Sequence, residues 1–260
     1  MQATMRIAVA GATGRVGRHV VEVLTERGHD AVAMSRSTGV DVITGEGLDE
    51  ALAGVDCIVD VATGPSPDRD EATAFFTTAA HNLQQAGQRA GVQRIVVVSI
   101  IGIDKFTGGY SAAKLDHERA TLEGPIPARV LRAAQFHEFV DQLMGWGRQG
   151  DVFYVPRMRT QLVAARTVAE ALVDLATDPS AVPAPDGVPI AEIAGPREES
   201  LVEAATRLVA RRDDGTRVEA VSPDGPDQEL NEAGALLPGP HAKLAGPTFE
   251  EWLATSPVAS

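Results

Sequence analysis

The 260-residue chain is predicted to form an α/β fold: a doubly wound parallel sheet with a small C-terminal substrate or lid region. Three observations predict it. Short β-branched runs alternate with amphipathic stretches from residue 5 to residue 133. The run RIVVVS (94–99) has an unbroken β-branched centre, the pattern of a strand covered on both faces. A glycine-rich turn separates the first strand from the first helix, where a parallel βαβ unit places one. Right-handed crossovers then line up the strand C-termini along one crevice.

Residues 5–10 read as a short buried strand, and Val16, Val20, Val23 and Leu24 then recur at helical spacing. DAVAMS (30–35) and VDCIVDVA (55–62) are further strands. ATAFFTTAAHNLQQAGQRAG (72–91) sets Phe75, Ala79, Leu83 and Ala86 on one helical stripe that stops at Gly91. YSAAKLDHERATLE (110–123) reads as a helix and ARVLRA (128–133) as a strand. Beyond Gly150 the pattern loosens: RTVAEALVDLATD and SLVEAATRLVARR look amphipathic, Pro and Gly crowd 179–196 and 222–247, and Thr248 with Glu251 fits a capping box opening TFEEWLAT. We therefore expect a nucleotide-binding domain over 1–150 and a smaller lid over 151–260.

Composition narrows the function. Hydrophobic residues make up 44% and charged residues 23%, as in an ordinary water-soluble domain. No apolar stretch approaches the ~20 residues needed to cross a bilayer, and no signal-peptide core precedes the first turn. Cys57 is the single cysteine, so no internal disulfide forms, and a cytoplasmic location is the simplest expectation. A net charge of −13 argues against direct nucleic-acid binding. It leaves room for an anionic cofactor, since a local nest of amides outweighs distant charge. A monomer or small homo-oligomer is expected. Six scattered histidines give no metal-ligand spacing.

The segment IAVAGATGRVGRHVVEVL (7–24) carries Gly11-x-x-Gly14-x-x-Gly17 between a strand and a helix, the context in which glycines signal dinucleotide binding. Gly11 permits the turn, Gly14 lets a pyrophosphate reach the main chain, and Gly17 allows the helix to pack tightly on the sheet. The second strand ends in SRST with no acid, and an acid there would repel a 2′-phosphate. Arg36, flanked by Ser35, Ser37 and Thr38, offers a guanidinium fork instead, so NADP(H) is expected over NAD(H).

Tyr110 and Lys114 stand four apart on one helix face, and Ser99 closes the strand before them. An ammonium beside a phenol should lower its pKa. A serine hydroxyl holds a carbonyl oxygen while the phenol delivers a proton.

The pieces VAGATGRVG, ALAGVDCIVDVA, VVVSIIGID…YSAAKLDHERA and ARVLRAAQFHEF together resemble the NmrA-like, NAD(P)H-binding branch of the atypical short-chain dehydrogenases/reductases. The likeness covers roughly residues 5–140, with a weaker echo in AARTVAEALVDLA and GPTFEEWLA. It implies a Rossmann-like fold with NADP(H) at the C-terminal edge of the sheet. Gly11, Thr13, Gly14, Arg15 and Val16 would wrap the pyrophosphate, and Arg36 would meet the adenosine phosphate. Ala62 and Thr63 would lie along the adenosine ribose, with Asp41 and Val42 lining the adenine. Ala133, Ala134, Gln135 and Phe136 would touch the nicotinamide side. Ser99 precedes Tyr110 by eleven residues, slightly closer than in the family's usual catalytic set.

Other residues carry blander readings. His137 is weighed as a substrate contact in the nicotinamide pocket against a structural helix-start histidine, and Phe136 with Phe139 as a pocket wall against core packing. His117 and Glu118 are expected to be solvated. Asp56 and Asp60 flank a strand on one face and are not read as an acid–base pair. The sequence points to an NADPH-dependent oxidoreductase acting on a small apolar carbonyl, quinone or enone. Two alternatives stay open: a non-catalytic NADP(H)-sensing regulator, and an isomerase or dehydratase that retains its nucleotide.

Overall fold

The computed structural model describes residues 3–178, 190–224 and 226–256. The elements in chain order are β1 (Arg6–Ala10), α1 (Gly17–Glu26), β2 (Asp30–Met34), α2 (Leu48–Ala51), β3 (Cys57–Asp60), α3 (Arg69–Ala90), β4 (Arg94–Ile100), α4 (Gly109–Leu122), β5 (Ala128–Ala133), α5 (His137–Gly147), β6 (Arg148–Gln149), β7 (Val152–Pro156), β8 (Arg159–Thr160), α6 (Ala165–Thr177), β9 (Ala191–Ala194), β10 (Glu199–Ser200), α7 (Leu201–Arg212), β11 (Arg217–Val221), α8 (Pro226–Ala233), β12 (Lys243–Leu244) and α9 (Phe249–Thr255). Seven strands form one sheet in the order β12-β9-β5-β4-β3-β1-β2, and the β1–β2, β1–β3, β3–β4 and β9–β12 pairs are parallel. This is the Rossmann-like doubly wound arrangement the alternating pattern predicts. Part of the Pro- and Gly-rich stretch expected at 179–196 lies outside the described residues.

The chain folds as two compact units that interleave along the sequence. The first is Met1–Ser99, Thr107–Arg132 and Val168–Ala191; the second is Ile100–Phe106, Ala133–Thr167 and Glu192–Ser260. Residues 133–150, expected with the nucleotide-binding part, pack within the second unit.

In the first unit the core gathers Ala8, Met34, Leu52, Ile58, Leu83 and Ile95 from consecutive strands and helices, all at most 2% exposed. β3 is buried along its whole length, so each of its polar side chains must find a partner inside the protein. Burial also drives the Cys57 thiol up to about 12, which makes it unreactive at neutral pH. Asp68 caps α3 by accepting from the Asp70 and Glu71 amides, and the helix ends in left-handed Gly91. α4 is clasped to β5 by a two-pronged pair: Arg132 Nε and Nη2 donate to Glu118 Oε1 and Oε2 at 3.0 and 2.9 Å.

The second unit has its own core, in which Val140, Phe153, Leu162, Leu201 and Phe249 are completely buried. β7 pairs in parallel with β11 and antiparallel with β6. The capping box that opens α9 forms as the sequence predicts: the Glu251 amide donates to Thr248 Oγ1, and the Thr248 amide donates to Glu251 Oε2 at 2.9 Å. Among the described residues no helix is long and apolar enough to cross a membrane.

Candidate nucleotide site and proton-transfer cluster

The glycine turn is shaped first by the protein itself. Gly11 adopts φ +80°, and a Cβ there would lie 2.8 Å from Ala62 Cα. The amides of Gly11 and Ala12 both donate to Met34 O, at 3.0 and 3.2 Å, which ties the turn to the end of β2. A Cβ on Gly17 would run into the Gly11 carbonyl and come within 2.8 Å of Ala12 Cα, so the start of α1 sits directly on the turn. Gly14 differs: it is exposed, and a Cβ there meets only the Gly11 carbonyl oxygen. It is the glycine left facing outward. α1 starts at Gly17 behind the N-cap Val16, with no side-chain cap and no acid in its first turn; the Arg18 amide donates to Gly14 O at 3.2 Å, and the positive end of the helix dipole meets no carboxylate of its own first turn. Thr13 is exposed and Arg15 half-buried beside it.

After β2 the chain makes a 3₁₀ turn over Arg36–Thr38, pinned by Ser35 and Thr38 through a capping box and closed by left-handed Gly39. Ser35 Oγ and Ser37 Oγ lie 2.9 Å apart. Arg36 is exposed on this rigid turn and, among the described residues, makes no ion pair. Asp41 folds back on its own loop, accepting from the Ile43 amide at 2.7 Å and the Thr44 amide at 3.3 Å. Asn82 Nδ2 donates to the Val42 and Ile43 carbonyls at 2.9 and 2.8 Å, holding that loop against α3. A cavity of about 290 Å³ opens beside it, walled by Ile43, Gly64, Pro65, Ala74, Phe75 and Thr78. Ser66 and Glu71 complete its rim, so the wall is mostly apolar with one carboxylate.

The chemistry-bearing side chains collect where β3 ends and α4 begins. Tyr110 is half-buried, and its phenol oxygen lies 3.2 Å from Thr63 Oγ1. Lys114, 5% exposed, donates to Val98 O and to His117 Nδ1, both at 2.9 Å. His117 Nε2 lies 2.9 Å from Asp60 Oδ2, and Asp60 Oδ1 accepts from the Ala62 amide at 3.0 Å. Phe76 of α3 packs against three ionisable groups of α4. Its ring lies edge-on to Tyr110 at 5.7 Å, stacks on His117 at 4.7 Å, and has Lys114 Nζ 4.5 Å above its centroid.

Three sequence expectations are corrected here. His117 and Glu118 are buried, at 1% and 3% exposure, because α4 turns that face toward β3 and β5. The α3 position that enters the core is Phe76, at 1% exposure, while Phe75 is half-buried. The Tyr110 phenol is not acidified: burial pushes it above its ordinary value, and the Thr63 hydrogen bond only partly opposes this. Lys114 has turned to Val98 and His117, and burial draws its own pKa down to about 8 against the pull of Asp60 and Glu118. His117 is lowered by burial and by Lys114, hence neutral. Asp60 is pushed up by burial, but His117, the Ala62 amide and Lys114 outweigh that and keep it ionised.

Asp60, His117 and Phe76 were not singled out from sequence as site residues. The available signal was an aspartate inside a strand otherwise fit for complete burial, which demands a partner. Asp56, by contrast, lies just before β3 and its carboxylate accepts from the Arg6 amide at 2.8 Å. Ser99 is 3% exposed, and its hydroxyl has no hydrogen-bond partner. An orphaned buried hydroxyl costs about 1–3 kcal/mol unless something meets it.

In the second unit, Ala133 and Ala134 are buried, and Gln135 and Phe136 are half-buried. Gln135 Oε1 accepts from Thr160 Oγ1 at 2.7 Å, and the Val163 amide donates to Gln135 O at 3.0 Å. His137 is completely buried, its ring edge-on to Phe249 and Trp252 at 5.6 and 5.3 Å. Its Nε2 donates to Leu162 O at 3.1 Å, so Nδ1 is the unprotonated and unpartnered nitrogen. Phe139 packs on Trp146 at 6.4 Å. Burial holds His137 down to about 4, with the Leu162 bond opposing it. Between pH 6.5 and 4 the unfolded chain therefore takes a proton that the folded chain refuses. The contribution of His137 to stability should be level above about pH 6.5 and fall by about 3 kcal/mol as pH drops to 4. Urea midpoints at pH 7 and pH 4.5 check this, and His137→Phe should make the fall in that window shallower, the buried His117 supplying the rest.

A phosphate-ready turn on a doubly wound parallel sheet defines a dinucleotide-binding protein. Residues 11–179 match the model of the NAD(P)H-binding family, and the chain belongs to that family. This agrees with the short-chain dehydrogenase/reductase likeness read from its motifs. It is 30% identical over 111 residues to the photosystem II assembly factor Ycf39 of Synechocystis, spanning 37% of this chain and 34% of that one. It is 33% identical over 112 residues to a 3-beta-hydroxysteroid dehydrogenase of Mycolicibacterium neoaurum, spanning 35% and 31%. It is 28% identical over 144 residues to a (4-alkanoyl-5-oxo-2,5-dihydrofuran-3-yl)methyl phosphate reductase of Streptomyces griseus, spanning 50% and 48%. The chain thus matches less than half the length of each of these relatives. Among solved structures, it resembles UDP-N-acetylglucosamine 4-epimerase from Bacillus cereus with a TM-score of 0.67 at 18% identity, covering 96% and 95% of the two chains. It resembles MoeE5 in complex with UDP-glucuronic acid and NAD with a TM-score of 0.68 at 20% identity, covering 96% and 97%.

Proposed function

We propose that the protein is an NADPH-dependent oxidoreductase that reduces a small, largely apolar carbonyl, quinone or enone. One observation carries this reading. The Tyr110 phenol is tethered to Thr63, whose neighbour Ala62 abuts Gly11, so a proton donor sits two short contacts from the phosphate turn. NADPH supplies the hydride. Tyr110, kept protonated by its burial, starts in the state a reduction needs and delivers its proton to the developing alkoxide. Lys114, held on Val98 O and His117 on the same helix as Tyr110, serves the ribose hydroxyls rather than the phenol, and the unpartnered Ser99 hydroxyl orients the substrate oxygen. The dehydrogenase and reductase among the relatives support the same class.

Arg36 favours NADPH over NADH, because its guanidinium stands free on a rigid turn that holds no acid. Arg36→Ala should weaken NADPH binding by about 1–3 kcal/mol and leave NADH nearly unchanged, measured by fluorescence titration. Equal weakening of both would remove the 2′-phosphate assignment. Activity is tested by following NADPH oxidation against a panel of quinones, aldehydes, ketones and enones.

A second reading, a regulator that senses the NADP(H) ratio, draws on Lys114, which bonds to Val98 and His117 rather than to Tyr110. Saturable NADPH binding without oxidation across the whole panel would favour it.

A further inference from the structure

Asp60, His117 and Lys114 form a line of buried polar groups that the reduction scheme does not itself call upon. All are at most 5% exposed, and they join at 2.9 Å links. An ammonium has only hydrogens to give, so His117 Nδ1 must be the acceptor and carry no proton. The single proton of the neutral imidazole then sits on Nε2 and is donated to Asp60 Oδ2. The other oxygen of Asp60 is fixed by the Ala62 amide at 3.0 Å, and the imidazole is clamped flat by Phe76.

We propose that His117 and Asp60 are positioning residues for Lys114: the carboxylate locks the imidazole in its Nε2–H tautomer, and the imidazole holds the ammonium charged and fixed at the end of β4. This rests on the reading of Lys114 as an active-site group. A direct Lys–Asp contact would draw the ammonium down to the carboxylate. The imidazole instead carries the influence of the negative charge across its ring and leaves the ammonium on Val98 O. Two of the three ammonium hydrogens are taken, and the third remains for a further acceptor.

Every charged neighbour fits this balance. Asp60 faces Lys114 from β3, while His117 and Glu118 face it from α4 itself. Glu118 is occupied by Arg132 of β5. α3 contributes the Phe76 ring, and β4 the Val98 carbonyl. Asp60 is therefore the nearby carboxylate not already neutralised by an arginine, and its influence arrives through His117.

The test is NMR of the full-length, isotope-labelled protein, reading the His117 ring nitrogens and the Lys114 titration. His117 is expected to show the Nε2–H tautomer at neutral pH. In Asp60→Asn, which keeps the shape and removes the charge, the Lys114 midpoint should fall by about one pH unit. A wild-type Nδ1–H tautomer, or an unmoved Lys114 midpoint in folded Asp60→Asn, would overturn the proposal. If Asp60→Asn does not fold, His117→Asn replaces it: the amide oxygen still accepts from Lys114, but the link to Asp60 is cut. The midpoint should again fall, and an unmoved midpoint overturns the proposal. NADPH titration of the same samples separates the two readings. Absent NADPH binding with the tautomer and shift present defeats the nucleotide reading alone, whereas intact binding without them defeats the positioning role alone.

Discussion

Tyr110→Phe is expected to lower NADPH-dependent turnover by about 10²–10⁴-fold, the usual contribution of a positioned proton donor, while NADPH affinity changes little. The substitution removes one oxygen whose hydrogen-bond partner is Thr63. The ring itself stays edge-on to Phe76, and the packing around Ala72 and Ala113 is kept. Stability should therefore hardly move, which makes the variant a clean probe of proton delivery. Steady-state NADPH oxidation with whichever acceptor the wild type reduces fastest gives the ratio. Turnover equal to wild type would show that the proton comes from elsewhere. The pH dependence is also signed: the phenol lies above its ordinary value, so it should remain a donor throughout the neutral range.

Glu118→Ala is expected to destabilise the first unit by about 3–5 kcal/mol, because it strands the Arg132 guanidinium in the interior. Arg132 is only 12% exposed and Glu118 4%, and the two-pronged geometry satisfies both carboxylate oxygens. Loss of the partner removes both hydrogen bonds to the carboxylate and leaves the cation's charge unbalanced in the interior, which costs far more than the pair itself contributes. The Glu118→Leu, Arg132→Leu double variant should recover most of the loss. Urea unfolding of the two variants beside wild type measures it. A single-variant cost below about 1 kcal/mol would mean that the guanidinium escapes to water.

Much of this fold was legible in the sequence because its signals are local. The strand ARVLRA and the helix YSAAKLDHERATLE needed no knowledge of distant contacts; the observed β5, for example, is Ala128–Ala133 as expected. The three glycines and the Thr248–Glu251 capping box were legible for the same reason: their constraints close within a few residues. The polar cluster was not. His117 meets Asp60 across 57 residues, and α4 shows almost no amphipathic contrast because its inward face is itself polar. A helix face of Lys, His and Glu reads as solvated until the strands that answer it are known. The same blindness hid the direction of the Tyr110 shift, which depends on how deeply the phenol is covered and on where the Lys114 ammonium turns. The interleaving of the two units was equally out of reach, since residues 133–150 follow directly on β5 and give no compositional break.

Phe76 gives the cluster an unexpected unity. One benzene ring is the common mounting for a phenol, an ammonium and an imidazole. A small side chain in place of Phe76 would strip the shared packing from all three at once, while Thr63, Val98 and Asp60 would go on gripping them separately.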